Sequence, residues 1–559
     1  MIFRRTIQIL TLLIFLSLLL GAIYSAPSYN NLNFFLRFDP ALVGITAISG
    51  RTISLSFIPA VLVLLLVPFI GRAFCGYICP MGTTIDVCDS LIKRVKKPPI
   101  VFQGFVKIKY LLLVFLLGAS LMGISLVFLA SPLSLITRFY GLLLYPVIAL
   151  FGDMGLKFIQ PLADLLGLNS LMFMELVAHR FSTNFFLFVF FLIVFSMAWI
   201  APRFWCRYLC PSGALMGLMS RKPILSRYVS SECTECGKCA KICPMGAIDK
   251  ENPDITNHRE CIICRKCEDI CPVNAVSFTR KETGGRQKNV GFLPIRRGLI
   301  ISGLAGIGTA AVSLTGLKSL YAKAGVGQVL TPGLIRPPGS ISERDFLALC
   351  VRCGECMVAC PTNALQPLWA DAGFIGLFSP ALRPRRGACS PECNNCGTIC
   401  PTGAIRRLPV PERRWAKIGT AVISKERCLA WEHKKRCMVC DEVCPYGAVK
   451  FRYEPGNPVP VPEVYEERCS GCGHCEHHCP VNNQSAIVVT AMGALRLNEG
   501  SFRQRGEQEG LKISLKHKEG TDQPLTQEDL SSGFAPGFDA SESGFEEDDS
   551  NILAPGFTE

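Results

Sequence analysis

Hydrophobic residues crowd the first 202 positions of the chain and thin out afterwards. Four stretches, at 7–24, 54–71, 110–130 and 183–200, are apolar throughout. Each approaches the ~20 residues that a helix needs to cross bilayer hydrocarbon, and each predicts a membrane span. Arg4 and Arg5 precede the first; Arg72, Lys93, Arg94, Lys96, Lys97, Lys107 and Lys109 follow the second; Arg203, Arg207, Arg221 and Lys222 follow the fourth. The opposite loops carry Arg37, Arg51, Arg138, Lys157 and Arg180. Basic residues collect on the cytoplasmic side, so both ends of this bundle are expected there. No A-x-A site closely follows 7–24 and further spans do, which argues against a cleaved signal peptide.

The apolar part repeats itself. GRAFCGYICPMG (71–82) ends the second span and PRFWCRYLCPSG (202–213) follows the fourth, with a weaker match between RFDPALVGI (37–45) and LASPLSLIT (129–137). Two helix pairs, each ending in a cysteine turn, is the simplest architecture; residues 139–151 are expected to lie along the interface. A fifth, weakly apolar stretch runs from Gly298 to Leu317 behind Arg296 and Arg297. It reads as a twin-arginine-like segment, a fifth span or a buried helix. From about Phe502 the chain turns polar and acidic, which predicts disorder. The expected divisions are 1–225, 226–285, 290–325, 340–498 and 500–559.

Cysteine changes the picture. Of 29 cysteines, five lie near the apolar stretches and 24 divide into six groups of four. Four groups read C-x-x-C-x-x-C-x-x-x-C-P: Cys233/Cys236/Cys239/Cys243, Cys261/Cys264/Cys267/Cys271, Cys350/Cys353/Cys356/Cys360 and Cys469/Cys472/Cys475/Cys479. Cys389/Cys393/Cys396/Cys400 inserts one residue at the front, and Cys428/Cys437/Cys440/Cys444 inserts six. Three cysteines on one tight loop reach three corners of a 4Fe–4S cubane, and the fourth, before proline, begins a helix. Zinc sites draw instead on two close pairs separated by a longer loop. Six 4Fe–4S clusters are therefore expected. Cys75/Cys79 and Cys206/Cys210 each place two thiols on one helical face, with Cys88 nearby; a metal or redox site there is one reading, and a dithiol or buried structural cysteines are the others.

The formal net charge of +14 does not point to nucleic acid, because much of the basic excess flanks apolar spans. No C-x-x-C-H or Walker loop is present, no G-x-G-x-x-G follows a strand pattern, and His179 is the one histidine before residue 202. Haem, flavin and nucleotide are not expected.

The quartets and their flanks (CPMGAI, CPVNAV, CPTNAL, CPTGAI, CPYGAV) resemble bacterial two-cluster ferredoxins. That resemblance implies crossed ligation in the first pair: Cys233, Cys236, Cys239 and Cys271 on one cluster, Cys261, Cys264, Cys267 and Cys243 on the other. Pairing among the last four stays open between sequential and nested. The order of motifs resembles a fusion. Residues 1–280 are similar to the membrane quinol-dehydrogenase subunit of the periplasmic nitrate reductase system. Residues 290–500 are similar to its ferredoxin-type periplasmic partner and to the methylamine-utilisation ferredoxins. The fold class expected is a membrane helical bundle of four spans, or five, with α+β two-cluster ferredoxin-like domains.

The resemblance implies a bacterial inner-membrane protein that oxidises quinol and passes electrons to a redox partner protein. Residues 226–285 would be cytoplasmic and 340–498 periplasmic. Asp39, Asp86, Asp153 and Glu175 are the candidate proton acceptors, since acidic groups near spans are costly. An electron-donating assembly factor and a cytoplasmic electron-input subunit are the alternatives.

Overall fold

A computed structural model describes residues 2–24, 34–52, 54–92, 103–165, 179–221, 223–279, 296–314, 334–369 and 373–516. Met1–Ile513 pack as one unit. Its helical part is built from α1 (Ile2–Tyr24), α2 (Pro40–Gly50), α3 (Ile58–Ile70), α4 (Pro80–Leu91) and α5 (Ile108–Leu121). Next comes α6, which starts as Pro132–Arg138 and runs through a π-helical stretch, Phe139–Leu144, into Tyr145–Leu165. Then follow α7 (Asn184–Ser196), α8 (Pro211–Met219) and α9 (Arg296–Leu314).

Two of these helices are long and apolar enough to cross a bilayer, over Phe3–Ala22 and Pro132–Pro161; Leu55–Ile70 and Asn184–Trp199 are shorter apolar helices. Residues 139–151 are helical and continuous with the rest of α6. The helix expected over 110–130 stops at Leu121, because Gly123 takes φ +80°, a left-handed turn that glycine enters without steric cost. Leu65, Phe158, Phe185 and Trp199 are large apolar side chains left 62–89% exposed.

Proline-initiated helices organise the bundle's centre. α2, α4, α6 and α8 each begin with proline, where its missing donor is not needed, capped by Asp39, Cys79, Ser131 and Cys210. The weakly matched repeat is thus structural: Asp39-Pro40 and Ser131-Pro132 occupy equivalent positions and meet, Ser131 Oγ donating to Asp39 Oδ2 over 2.6 Å.

α9 packs against α5 along small residues. A Cβ placed on Gly306 would come within 2.1 Å of the Phe115 carbonyl oxygen, and one on Gly118 within 2.4 Å of that of Gly303. Ser302 Oγ adds a 2.6 Å bond to the Leu111 carbonyl. Small residues permit such close backbone approach. Gly298 meets Leu111 and Gly306 meets Phe115 and Ala119, so the two helices run parallel.

Three small α+β units follow the same plan, each with two cysteine quartets closed by antiparallel pairing. In unit I, β1 (Ser226–Val229) pairs β2 (Val276–Thr279). In unit II a bridge joins Ser340 to Ile405, and a short hairpin, β3 (Leu365–Pro367) with β4 (Pro380–Leu382), lies between the quartets. In unit III, β5 (Thr420–Ile423) pairs β8 (Ile487–Thr490) around an inserted hairpin of β6 (Val449–Arg452) and β7 (Val461–Val464). A last helix, α10 (Phe502–Gln508), buries Phe502 completely against Trp415 and Leu511 in a small core. The fold thus continues to Ile513, past the expected boundary at 498–500, because that one aromatic anchors the first turn of the polar tail.

Units I and II pack on opposite ends of the helical part. At the start of α5, Lys109 and Tyr110 bond Glu260 of unit I. Just beyond its end, Ser125 accepts from Arg352 of unit II over 2.7 Å. Ser49 at the end of α2 donates to Ala348 O, and Ser134 to Val351 O, both over 2.7 Å. Phe186 stacks on Trp369 at 4.3 Å.

Candidate thiol sites and their connections

Each regular quartet loop is shaped by two left-handed residues, at the second and fourth positions after its first cysteine. They are Glu235 and Gly237, Ile263 and Arg265, Arg352 and Gly354, Gly471 and Gly473. A third left-handed residue explains the flanking sequence: in Cys-Pro-x-Gly/Asn, Gly246, Asn274, Asn363, Gly403 and Gly447 all take positive φ. Glycine and asparagine tolerate that region best. Amides then turn toward sulfur: Ala247 N to Cys243 Sγ (3.3 Å), Ala448 N to Cys444 Sγ (3.3 Å), Ala421 N to Cys469 Sγ (3.4 Å) and Ile405 N to Cys400 Sγ (3.5 Å).

The quartets exchange their fourth members within each unit. Four separate cavities are walled, respectively, by Cys243/Cys261/Cys264/Cys267 (site 2), Cys350/Cys353/Cys356/Cys400 (site 3), Cys360/Cys389/Cys393/Cys396 (site 4) and Cys428/Cys437/Cys440/Cys479 (site 5). Cys444 lies beside Cys469, Cys472 and Cys475 (site 6). At site 1, Cys233 neighbours Cys239, Cys271 packs against the same small core, and Cys236 is exposed. A fourth cysteine crosses from the partner quartet at sites 2 to 6, and pairing among the last four is sequential.

Four sulfurs in an otherwise apolar cavity fit a 4Fe–4S cluster. Burial pushes the thiols of Cys267, Cys440 and Cys472 up to about 12, so they are neutral without metal and must release protons on ligation. Buried cations offset the resulting charge. Arg413 Nη2 donates to Cys389 Sγ over 2.6 Å, and Arg227 Nη2 to Cys239 Sγ over 3.4 Å.

Sites 4 and 6 are joined through the backbone, Cys389 N donating to Cys472 O over 2.8 Å. Sites 3 and 4 share unit II and sites 5 and 6 share unit III, which orders the four as 3, 4, 6, 5. Among the described residues, the bundle's hydrogen bonds to these units fall on unit II.

The repeat also gathers the membrane-side cysteines. Cys79 lies beside Cys75 and Cys206, and Cys210 beside Cys206 and Cys75. Cys75 is half-buried and the other three are buried. Cys88 is half-buried, and Asp89 is its charged neighbour.

The proton-acceptor candidates fare differently. Asp39 caps α2, its Oδ1 accepting from Ala41 N and Leu42 N at 3.1 and 3.2 Å, and Ser131 and Ser212 both donate to it. Asp86 binds Arg203 through two bonds of 2.7 and 2.8 Å and also Arg4. Although burial works the other way, those guanidiniums hold its carboxyl well below the usual range. Asp153 pairs with exposed Lys157 at 2.7 Å. Glu175 lies outside the described residues.

Sequence reasoning missed Glu260 and Glu355. Glu260 is 3% exposed and accepts from Lys109, Arg72 (3.0 Å) and Tyr110 (3.1 Å), pinning unit I to the bundle. Glu355, between two site 3 cysteines, is buried with one oxygen unpartnered. Burial pushes it up to about 8 against the pull of Arg37. Neither carries a sequence signal, since both sit in cysteine loops that read as solvated.

Comparisons with known proteins agree on the chemistry. A 4Fe-4S binding domain model matches residues 41–99 and 183–228, and another matches 347–366. 4Fe-4S dicluster domain models match 232–276 and 435–483. The methylamine utilization ferredoxin-type protein MauM of Paracoccus denitrificans is 38% identical over 163 residues, 28% of this chain and 70% of the relative. MauM of Methylorubrum extorquens is 35% identical over 204 residues, 35% of this chain and 89% of the relative. The ferredoxin-type protein NapG of Escherichia coli is 33% identical over 218 residues, 37% and 88% respectively. No solved structure matches.

Proposed function

The chain belongs to the family of ferredoxin-type NapG and MauM proteins, and from that premise we propose that it is a membrane-bound wire of six 4Fe–4S clusters carrying electrons from quinol to a redox partner. The ligands are the 24 cysteines of sites 1–6. The observation that carries the reading is the crosswise assembly of four thiols around each of four separate cavities, arranged so that neighbouring sites are in contact from the bundle outward. Electrons then step through sites 3, 4, 6 and 5 in that order.

In this reading residues 1–280 correspond to a quinol-dehydrogenase membrane subunit with four spans, and α9 is a fifth. Unit I is cytoplasmic, units II and III periplasmic, and the membrane is the bacterial inner membrane. Support comes from the basic loops around unit I, from the parallel course of α5 and α9, and from the docking of units I and II at opposite ends. Exposed Arg427, His433, Lys434, Lys435 and Arg436, against exposed Glu426 and Glu432, flank Cys428 and Cys437 of site 5 in sequence, a basic excess that suits an acidic acceptor at the wire's far end.

Anaerobic isolation tests the wire: six cubanes require about 24 irons and 24 sulfides per chain. Colourless, zinc-loaded material would overturn it. Reconstituted turnover with quinol tests the donor, and a reporter fused after residue 330 that is active only in the cytoplasm would overturn the topology.

A further inference from the structure

Two arginines lie buried where the bundle meets unit II, and neither has an acid for a partner. Arg138, on α6, is 2% exposed, and Arg352, in the site 3 loop, is 1% exposed. Backbone carbonyls take up their N–H groups. Arg138 donates to Phe128 O and, over 3.4 Å, to Ser134 O. Arg352 donates to Ser125 O and Ile375 O over 2.7 and 2.6 Å, while its buried Nε bonds nothing. The Phe128 ring faces both guanidiniums, at 6.0 and 4.2 Å, and the Phe378 ring faces Arg138 at 5.1 Å. Rings attract a cation and carbonyls orient it, but neither cancels its charge.

The carboxylates nearby are committed elsewhere. Glu343 acts on Arg352 but bonds Arg336 and Arg496, each over 2.6 Å. Glu355, in the same loop as Arg352, feels Arg37 instead. Among the described residues, Arg138 and Arg352 form no ion pair. The acidic groups that act on Arg138 are the thiols of Cys350 and Cys353, and Cys350 acts on Arg352 as well. A buried charge is costly unless an opposite charge answers it, and two of one sign side by side raise that demand. When site 3 is loaded, its deprotonated sulfurs supply the answer.

α6 is shaped to deliver Arg138. One turn earlier, Ser134 donates to Val351 O over 2.7 Å. In the π-helical stretch beyond, a Cβ on Gly141 would lie 3.1 Å from Val358, and one on Gly354 would lie 3.0 Å from Leu142. The helix therefore follows the site 3 loop from 351 to 358, with Arg138 between these contacts. Such π-helical stretches occur frequently at functional sites.

We propose that Arg138, reaching in from the bundle, and Arg352 set the potential of site 3: their two fixed charges favour its reduced state and make it the point at which electrons enter units II and III. The inference rests on reading site 3 as a 4Fe–4S site, and on neither quinol nor topology. Reduction brings in one electron from a one-electron donor and takes one Fe(III) to Fe(II). No bond forms and no proton moves, because both guanidiniums stay charged throughout. The added negative charge settles beside two cations, so a milder donor suffices. Since Arg138 belongs to the bundle, site 3 reaches its full potential only while unit II is docked.

Redox titration of the full-length protein with dithionite, anaerobically in detergent and read by electron paramagnetic resonance, tests this. Cys356→Ala identifies the site 3 signal by its loss. Removing a unit charge about 12 Å away, at an effective dielectric constant of about 20, changes an equilibrium about tenfold. Arg138→Gln and Arg352→Gln should each shift site 3 about tenfold against reduction, a fall of about 59 mV for one electron. Arg138→Lys keeps the charge and should recover most of that shift. Sites 5 and 6 should not move, and iron content equal to the wild type's shows that the variants assemble. Where a variant loses its cluster, the wild type still answers: electron–nuclear double resonance on protein with isotope-labelled arginine guanidiniums should find two such groups coupled to reduced site 3. An unmoved potential in the loaded glutamine variants, a lysine variant as low as the glutamine one, or a wild-type spectrum without guanidinium coupling would each overturn the proposal. A wild-type site 3 empty of iron would remove the wire reading together with it.

Discussion

Glu260→Ala is the most informative perturbation of the docking between unit I and the bundle. Glu260 accepts from Lys109 and Arg72, both essentially inaccessible to water, and from the hydroxyl of Tyr110. Removing one partner of a buried ion pair costs about 3–5 kcal/mol, because the other is left uncompensated. Here two cations are stranded at once, so the expected loss lies at the upper end of that range. Urea titration of detergent-solubilised protein, followed through cluster absorbance, reads it as a lowered midpoint at unchanged slope. A K109M/E260L double variant, which leaves one buried cation instead of two, should recover at least half of the loss, a coupling that a mutant cycle measures directly. If Glu260→Ala cost less than about 1 kcal/mol, the range of exposed pairs, or if the double variant cost the sum of the singles, the network would not be the anchor described.

Other consequences are as direct. Cys479→Ala should abolish the site 5 signal and spare site 6, with Cys444→Ala doing the reverse; electron paramagnetic resonance that showed each loss in the cysteine's own quartet would refute the crossed assignment. Arg413→Gln removes a charge and an N–H···S bond at Cys389, so redox titration should find the site 4 potential lowered, since such bonds raise it. Gly306→Leu forces a side chain into the Phe115 carbonyl and should loosen α9 from α5 by about 1–3 kcal/mol, the usual toll of overpacking, visible as a lowered urea midpoint. Because burial raises the thiols of Cys267, Cys440 and Cys472 to about 12, ligation must displace protons. Iron affinity of the apoprotein should therefore rise as pH increases from 7 to 9, and a flat profile would contradict neutral thiols. Charge reversal at Lys434 and Lys435 should slow reduction of an acidic acceptor, with the difference shrinking as salt screens it.

What could be read from sequence was what is local. A quartet needs three cysteines on one loop and a left-handed Gly or Asn after Cys-Pro, and both are written in consecutive letters. Which quartets pair is not, because it depends on closures such as Ser340 with Ile405 and β5 with β8, separated by 64 or more positions. Hydropathy marked the apolar stretches correctly but misjudged their ends. The run from 110 to 130 stays apolar through the turn at Gly123, where the helix has already stopped. Residues 139–151 were expected as a separate segment, and they are instead continuous with α6 through its π-helical stretch, Phe139–Leu144. Charge was the least legible. Asp39 and Asp86 resemble free acids in the sequence, yet each is committed to partners more than 70 positions away, while Glu260 looked like an ordinary polar loop residue.

The bond from Cys389 N to Cys472 O sets a limit on how the whole array can behave. A series circuit conducts no better than its poorest junction, and this junction is made of main chain. Replacing side chains in either unit can therefore shift the driving force on both sides of the joint without lengthening the hop, so the two halves are free to diverge in voltage while their separation stays fixed.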